Sequence, residues 1–397
     1  MGDTTPTPDP FAPVSRGAWT LDPEWAFLNH GSYGGAPRAV LDEQAALRAR
    51  LERQPVKFMR ELEPMLDEAR CGAAAFVGAD PDDIAFVRNA TEGVNAVLRS
   101  LEFRPGDEIL VTDHEYNACR NAADFVAERT GAVVVCADVP RGLGAPGDVV
   151  DRVASRVTAR TRLAMISHIT SPTGLMWPAR DITRALQGRG VEVLIDGAHA
   201  PGMTALDVNE IGADYYAANF HKWTCAPKGA AMLHVRRDRQ ARIHPAVISH
   251  GRNDPRTDRS RFRLEFDWTG TADPTPALCV PGAIAAVGAM LEGGWPAVMR
   301  ANRAKALAGR AMVSAAIDAP PPVPEAFIGS LAAVELPDRV FPGASAMEVK
   351  ARLEAALVEV PVIQRPDGSR LVRLSAHLYN RREEYERLAV ALAAGMR

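Results

Sequence analysis

The chain has 397 residues, of which 47% are hydrophobic and 24% charged, and its formal net charge is −3. This composition is ordinary for a globular enzyme with one large and one smaller domain. The basic residues are scattered, which excludes the charge pattern of a nucleic-acid-binding protein, and no apolar segment is long enough to span a membrane. The five cysteines lack metal-binding spacing, so we expect a cytoplasmic protein without a bound metal.

The first part of the chain predicts an arm followed by two helices. The start is polar and proline-rich and lacks the layout of a secretory signal, which predicts a disordered or loosely docked arm. From about Ala39 to Val77, apolar residues recur at spacings of three and four, with Pro55 separating two helices and Gly78 ending the second.

After Gly78, short apolar runs alternate with amphipathic stretches. The runs are DIAFV, EILVT, VVVCA, LAMISH, VEVLI, DYYAA and GAAMLHV. Such alternation predicts an α/β fold with a mainly parallel sheet and helices on both of its faces. In open sheets of this kind, ligands bind beyond the carboxyl ends of the strands.

The C-terminal part has a different pattern. The polar stretch HGRNDPRTDRSRFRLE predicts a long surface loop over residues 250–265. Helices interrupted at GGWP follow, then a mixture of short strands and helices that predicts a compact α+β unit. The predicted divisions are an N-terminal arm at 1–26, a large domain at 27–285 and a small C-terminal domain at 286–397.

Asp196 and Lys222 form the most informative pair in the sequence. Asp196 closes the run VEVLI, and Lys222 stands in NFHKW after the strand-like DYYAA. Pyridoxal phosphate needs a lysine that holds it covalently and an acid that keeps its pyridine nitrogen protonated, so that the ring can accept electrons. Taken singly, a strand-end Asp is often a helix cap and a lone Lys is usually surface charge.

Two further motifs fit this cofactor. NATEG joins a strand to a helix, so the amides of Ala90 and Thr91 and the Thr91 hydroxyl are candidates to hold a phosphate, although Thr91 could instead only cap the helix. DHEYNA follows EILVT and places His114 and Tyr116 near a strand end, where one of the two rings could stack on the pyridine. Periodicity does not decide between them.

The remaining candidates lie beside Asp196 and Lys222 and near the C-terminus. His199 follows Asp196 by three residues and could approach the phenolic oxygen of the cofactor, or it could be structural. Asn219 and His221 flank the lysine as candidate phosphate or lysine neighbours. Arg373, in an otherwise apolar strand, suits the α-carboxylate of an amino acid, with an internal salt bridge as the alternative.

These residues, in this order, resemble the class V aminotransferase family of fold-type I pyridoxal-phosphate enzymes, and most closely its isopenicillin N epimerase-like branch. The motifs that carry the resemblance are FLNHGSYGGAP, DHEYNA, SPTGL, DGAHAPG, HKW and VRLSAHLYN, and the likeness runs from about Phe27 to the end. It implies a large domain with a mainly parallel sheet flanked by helices, a smaller α+β domain, and a homodimer with its active site at the subunit interface.

The resemblance also implies a role for each candidate residue. Lys222 would hold the cofactor and remove the substrate proton, and Asp196 would pair with the pyridine nitrogen. Arg373 would receive the substrate carboxylate. His199 would contact the cofactor ring, and its phosphate would be bound by Ala90, Thr91, Asn219 and His221. Tyr116, in preference to His114, would stack on the ring and act as an acid. Thr271 in WTGTAD would contact the phosphate in the neighbouring subunit, and the substrate side would be lined by His30, Ser32 and Ser171.

Two departures from the family pattern narrow the chemistry. The stretch VEVPVIQRPDGSRLV, before Arg373, has no cysteine where cysteine desulfurases carry their nucleophile. Ser171 stands where those relatives have an Asn. We therefore expect epimerisation or β-elimination at the Cα of a small amino-acid-containing metabolite, with C–S cleavage of a cysteine conjugate as the β-elimination.

Three other functions remain as alternatives. Transamination would use the same cofactor and the same residues. A non-catalytic regulatory protein that binds the cofactor would lack turnover. A nicotinamide-dependent oxidoreductase would need a GxGxxG turn after its first strand, and the sequence has none there.

Overall fold

The computed structural model of the chain describes residues 9–11, 14, 16–140 and 142–396. Within these ranges the α-helices are α1 His30–Tyr33, α2 Arg38–Arg53, α3 Pro55–Val77, α4 Ala90–Ser100, α5 Asn117–Thr130, α6 Gly147–Ala154, α7 Ala179–Gln187, α8 Val208–Ile211, α9 Arg261–Phe266, α10 Thr275–Leu278, α11 Val280–Gly288, α12 Gly294–Ala316, α13 Ala346–Ala355 and α14 Arg382–Ala394. The strands are β1 Ala26–Phe27, β2 Ile84–Val87, β3 Glu108–Thr112, β4 Val133–Ala137, β5 Thr161–Ser167, β6 Glu192–Asp196, β7 Tyr215–Asn219, β8 Ala231–Val235, β9 Leu331–Leu336, β10 Val358–Glu359, β11 Val362–Gln364 and β12 Arg370–Ser375.

A seven-stranded sheet organises the larger part of the molecule, in the order β2-β8-β7-β6-β5-β3-β4. Strand β8 runs antiparallel to both of its neighbours, and the other strands are parallel to one another. Strands β3, β7 and β8 are buried along their whole length because helices cover both faces, as the continuous apolar runs in their sequences predict. The predicted mainly parallel sheet is confirmed.

The carboxyl ends of the central strands carry polar residues. Ser167, Asp196 and Asn219 are the last residues of β5, β6 and β7, and Ser167 is the register partner of Asp196. Helix α4 begins at Ala90, just after β2 ends at the same edge. The sheet therefore gathers these side chains at one edge, where an open α/β sheet binds its ligand.

The C-terminal part forms a three-stranded antiparallel sheet, β11-β12-β9, covered by helices that include α12 and α14. Strand β1 pairs in parallel with β10, so the beginning of the chain is attached to this part. The predicted composition of the C-terminal unit, short strands with helices, matches what is observed. The boundaries at 27–285 and 286–397 stay a prediction.

Part of the N-terminal arm is docked rather than loose. Trp19 is buried with its Nε1 donating to the Gly35 carbonyl, and Arg16 forms an ion pair of 2.7 Å with Glu384 of α14. The disorder or loose docking predicted for the polar start, residues 1–13, stays a prediction, because the structure describes only residues 9–11 of that stretch. Residues 1–8, 12, 13 and 15 lie outside the described residues.

The expected surface loop at 250–265 is only partly a loop. Its last five residues belong to helix α9, capped by the Ser260 hydroxyl, which accepts from the Arg263 amide. Phe262 and Phe266 lie one helical turn apart and pack into the core with ring centroids 4.8 Å apart. The charged residues between them obscured this apolar pair in the sequence. Among the described helices, none is both long and apolar enough to cross a membrane.

Candidate active site

A cavity of about 370 Å³ opens at the carboxyl edge of the large sheet. Its size is within the range of roughly 300–1,000 Å³ that is typical of small-molecule sites. The side chains around it come from strand ends, from the start of α4 and from the segment that follows β7. Its lining includes Ser32, Tyr33, Arg88, Asn89, Ala90, Thr91, Tyr116, Ser167, Ser171, Asp196, His199, Asn219, His221, Lys222 and Lys228.

Asp196 presents a buried carboxylate to this cavity. Its Oδ1 accepts from the Ala198 amide at 3.0 Å, and its Oδ2 accepts from the Cys119 thiol at 3.2 Å. No described residue forms an ion pair with it, although Lys222 lies across the same cavity. Burial raises the pKa of the Asp196 carboxyl above its usual value. A buried carboxylate of this kind calls for a cationic partner supplied by a ligand.

Lys222 and His199 meet inside the cavity, with Lys222 Nζ 3.1 Å from His199 Nε2. The Trp223 indole donates to His199 Nδ1 at 3.3 Å, so in the neutral ring the proton is on Nε2, facing the lysine. Burial, followed by the Lys222 charge, holds the pKa of His199 well below its usual value. Burial and the nearby Arg373 lower the pKa of Lys222 to about 7. The amine can therefore be a neutral nucleophile near neutral pH.

Two glycines let the chain around Lys222 pack closely. Gly34 has φ +69°, and a Cβ there would lie 1.9 Å from the His221 carbonyl oxygen. Gly202 has φ +84°, and a Cβ there would lie 2.7 Å from the Trp223 carbonyl carbon. Both positions need glycine, for backbone conformation and for space.

The N-terminus of α4 faces the cavity and offers an anion site. The Asn89 side chain caps the helix by accepting from the Glu92 amide, so capping does not require Thr91. The Ala90 amide, one of the predicted phosphate donors, donates instead to Asn219 Oδ1 at 2.8 Å. The Thr91 amide and hydroxyl remain for an anion, together with the positive end of the helix dipole.

Arg373 lies buried in β12 without an acidic partner among the residues that the structure describes. Its Nη1 donates to the carbonyl of Ser171, and its Nη2 lies 3.4 Å from the Ser32 hydroxyl. Its Nε is buried without a hydrogen bond. Burial lowers the pKa of the guanidinium to about 10. The internal salt bridge that the sequence offered as an alternative is absent among the described residues. The guanidinium is therefore available to an anionic ligand.

The structure separates the two candidate stacking residues. Tyr116 lines the cavity and is 45% exposed. His114 is buried elsewhere, where its Nδ1 is 2.8 Å from Thr173 Oγ1 and its Nε2 is 2.9 Å from the Val139 carbonyl. The His114 ring is thus held by its own hydrogen bonds away from the cavity. This placement favours Tyr116 over His114 as the ring that would stack on the cofactor, which stays a prediction.

Two other candidates lie outside this cavity. His30 does not line it, because its Nε2 is 3.0 Å from the Lys222 carbonyl and its Nδ1 is 2.8 Å from the Tyr379 hydroxyl. This ring supports the backbone of the lysine instead of the substrate side. Thr271 lines a neighbouring cavity of about 250 Å³ that shares Arg88 and Gly229 with the first.

Several residues near the site escaped the sequence analysis. Cys119, one of the five cysteines without metal-binding spacing, donates to Asp196. Glu115, inside the DHEYNA motif, is buried beside Ser167. Lys228 and Arg88 line the cavity. The strand-end rule could have found Ser167, which closes LAMIS, but Cys119 gave no signal because its helix position becomes informative only once the fold is known.

Comparison with known proteins agrees with this geometry. The family model described as Aminotransferase class-V matches residues 36–266. The chain belongs to the class V aminotransferase family. It is 37% identical to an isopenicillin N epimerase of Amycolatopsis lactamdurans over 94% of this chain and 96% of that protein. A probable chloroplastic L-cysteine desulfhydrase of Arabidopsis thaliana is 28% identical over 94% of this chain and 83% of its own length.

The fold agrees with a solved structure as well. A protein named C-DES, with glycine covalently linked to its pyridoxal-phosphate cofactor, superposes with a TM-score of 0.81 at 22% identity, over 96% of this chain and 99% of its own. The fold-type I fold predicted from the sequence is confirmed. This family depends on pyridoxal phosphate, so the expectation of a pyridoxal-phosphate enzyme is also confirmed.

The residues of the cavity fit that cofactor in their chemistry. Asp196 offers a buried carboxylate for a protonated pyridine nitrogen, and Lys222 offers an amine for the aldehyde. Thr91 and the helix end offer donors for the phosphate. Tyr116 offers a ring beside the cavity. The cavity would thus offer a negative group to the cationic ring of the cofactor and hydrogen-bond donors to its phosphate.

Proposed function

We propose that this protein abstracts the Cα proton of a small amino-acid-containing substrate, with epimerisation at Cα as the outcome. One observation carries the proposal: the Lys222 amine and the Asp196 carboxylate line one cavity, the Arg373 guanidinium contacts Ser171 and Ser32 of its lining, and none of the three groups has an ion-pair partner among the described residues. A substrate carboxylate would pair with the Arg373 guanidinium, and a cationic ring would pair with the Asp196 carboxylate.

When bound, pyridoxal phosphate supplies an aldehyde that captures an amine and a ring that accepts the negative charge formed at Cα. Asp196 keeps the ring nitrogen cationic, because its carboxylate is enclosed and has only two neutral donors. Arg373 orients the substrate by its carboxylate, with Ser32 and Ser171 beside the guanidinium. Lys222, with a pKa of about 7, can accept the proton from Cα near neutral pH.

Epimerisation also needs a proton donor on the other side of Cα. Tyr116 is the proposed acid, since it lines the cavity and its phenol is only partly exposed. Burial raises the pKa of Tyr116, so the phenol holds its proton at neutral pH. The epimerase relative, similar over almost its whole length, supports this choice.

The second candidate is β-elimination from a cysteine-type substrate. The similarity to the cysteine desulfhydrase favours it, because that relative also extends over most of the chain. Lys222, Asp196 and Arg373 would act in the same way until the Cα proton is removed. Epimerisation and β-elimination would diverge only after that step. Loss of the β-substituent would then replace protonation by Tyr116.

The active site is proposed to be completed by a second copy of the chain, in a cytoplasmic homodimer. Thr271 lines the cavity that adjoins the candidate site, and the exposed side chain of Val247 lines the same cavity. Thr271 of one subunit would serve the phosphate bound in the other.

Incubation with amino acids and cysteine S-conjugates in heavy water tests the proposal. Deuterium at Cα together with inverted configuration is the expected result. Pyruvate and ammonia would indicate the second candidate, and a keto acid with an aminated cofactor would indicate transamination. A substrate panel that yields no deuterium at Cα and no pyruvate, ammonia or keto acid from any compound, with protein loaded with the cofactor, would contradict Cα-proton abstraction.

A further inference from the structure

A second carboxyl group is buried behind Ser167, the residue that lines the cavity beside Asp196. Glu115 is 7% exposed, and its Oε2 accepts from the Ser167 hydroxyl at 2.5 Å while its Oε1 accepts from the Thr112 hydroxyl at 2.7 Å. No described residue forms an ion pair with Glu115. The proposed mechanism does not use this group.

Glu115 is linked to Asp196 through Ser167. Ser167 and Asp196 are register partners on the parallel strands β5 and β6, so their side chains leave the sheet on the same face, and both line the cavity. Cys119, in the first turn of α5 and four residues after Glu115, donates to Asp196 Oδ2. Glu115 thus holds the hydroxyl beside Asp196 and is close in sequence to the thiol that contacts Asp196.

Two carboxylates and a thiol in one enclosed region cannot all be ionised. Burial and the negative charge of Asp196 raise the pKa of Glu115 to about 7, against the hydrogen bonds from Ser167 and Thr112. The other titratable groups that interact with Glu115 are Cys119 and Cys136, both thiols with raised pKa values. The amine of Lys222 is the nearby cation that acts on Asp196 and Cys119.

We propose that Glu115 is a positioning residue of the active site: a neutral buried acid that fixes the Ser167 hydroxyl and leaves Asp196 as the single negative charge at this end of the cavity. This inference rests on the proposed function, because the charge of Asp196 matters only where a cationic ring is bound. As pH rises past neutrality, Glu115 ionises and adds a second negative charge.

The sign of the stability effect follows from linkage. The carboxyl of Glu115 is protonated in the folded protein up to about pH 7, whereas in the unfolded chain it ionises near its ordinary pKa. Between these values the folded state binds more protons, so the wild-type protein loses stability as pH rises. Glu115→Gln is neutral in both states and lacks this loss.

The test compares the wild type with Glu115→Gln in cofactor-free and cofactor-loaded form. Cofactor-free wild type should lose a few degrees of melting temperature relative to Glu115→Gln between pH 5 and 7. In the loaded form, the midpoint of the absorbance titration of the cofactor should lie at lower pH in Glu115→Gln, since the variant lacks a negative charge that favours protonation. Ser167→Ala removes a hydrogen-bond donor that stabilises the ionised Glu115 carboxyl. The pH-dependent loss of melting temperature seen in the wild type should therefore occur at higher pH in this variant.

The matched control is Glu108→Gln, at the other end of β3. Like Glu115, Glu108 accepts from two side-chain hydroxyls, those of Thr158 and Thr161, but it forms an ion pair with Arg160 and does not contact Ser167. Glu108→Gln should leave the titration midpoint of the cofactor unchanged. If the melting temperatures and the absorbance titrations of the wild type and Glu115→Gln follow the same curves against pH, the inference is overturned. Binding of the cofactor in that case still upholds the proposed function. Failure of every form to bind the cofactor would overturn both.

Discussion

At the residue scale, the site depends on the charge of Asp196. Asp196→Asn keeps the shape and the acceptor oxygen but cannot hold a ring nitrogen cationic. We expect kcat to fall by about 10²–10³-fold, the range found when one preorganised electrostatic partner is lost. Steady-state kinetics with the cofactor at saturation measures this loss. A variant with wild-type kcat would show that the carboxylate is not needed as a charge.

Arg373→Lys tests the substrate contact separately. A lysine keeps the positive charge but loses the planar fork, so one charge-assisted hydrogen bond to a carboxylate should be lost. Such a bond is worth about 1.5–3 kcal/mol, which corresponds to a rise in KM of about 10- to 100-fold. The cofactor absorbance should remain that of the wild type. A changed absorbance with unchanged KM would place Arg373 at the cofactor instead.

The chemistry of most site residues was predictable from the sequence, but their hydrogen-bond partners were not. Strand-end position identified Asp196, and the motif order identified Lys222 and Arg373. The choice between His114 and Tyr116 required the turn of DHEYNA, which buries the imidazole against Thr173. The Cys119 contact with Asp196 joins residues 77 positions apart and leaves no local pattern.

At the element scale, the segment after β7 is the critical connection, because it carries His221 and Lys222 between β7 and β8. Gly34 lies against this segment with φ +69° and ψ 173°, a region that is almost exclusive to glycine. Gly34→Ala should cost about 1–3 kcal/mol from the backbone conformation alone. The overlap with His221 adds to that cost and should lower cofactor affinity.

The matched control for this change is Gly343→Ala. Gly343 has φ +72°, but a methyl group added there would meet no atom within 4 Å beyond its chain neighbours, so only backbone strain applies. Thermal unfolding and cofactor titration of both variants separate strain from overlap. Equal losses of cofactor affinity in the two variants would contradict a role for Gly34 in supporting the lysine segment.

Periodicity predicted the elements of the large sheet well because its strands are short apolar runs between amphipathic helices. Periodicity could not predict the antiparallel direction of β8, since a buried strand has the same apolar sequence in either direction. Helix α9 was missed because Arg263 and Glu265, both buried in ion pairs, made its sequence look like a solvated loop.

At the scale of the whole molecule, the proposed dimer predicts complementation between two inactive variants. Lys222→Ala removes the essential amine, and Thr271→Glu places a negative charge where the phosphate bound in the partner would lie. Mixed under conditions of subunit exchange, they should form hybrids with one intact site. Random pairing predicts about a quarter of the wild-type activity.

Each variant alone should stay inactive and dimeric, which light scattering can verify. A mixture that forms hybrids yet shows no recovered activity would mean that Thr271 does not serve the neighbouring subunit. An active Thr271→Glu dimer would mean that this residue does not serve the phosphate at all.

The proposed function requires the Lys222 amine to bond to the cofactor. Loading the protein with pyridoxal phosphate, reducing with borohydride and mapping the modified peptide by mass spectrometry tests it directly. The expected result is a phosphopyridoxyl group on Lys222 in the wild type and none in Lys222→Ala, with Lys228, six residues away in the same cavity, unmodified. Modification of Lys228 instead, or of no lysine at all, would contradict the account.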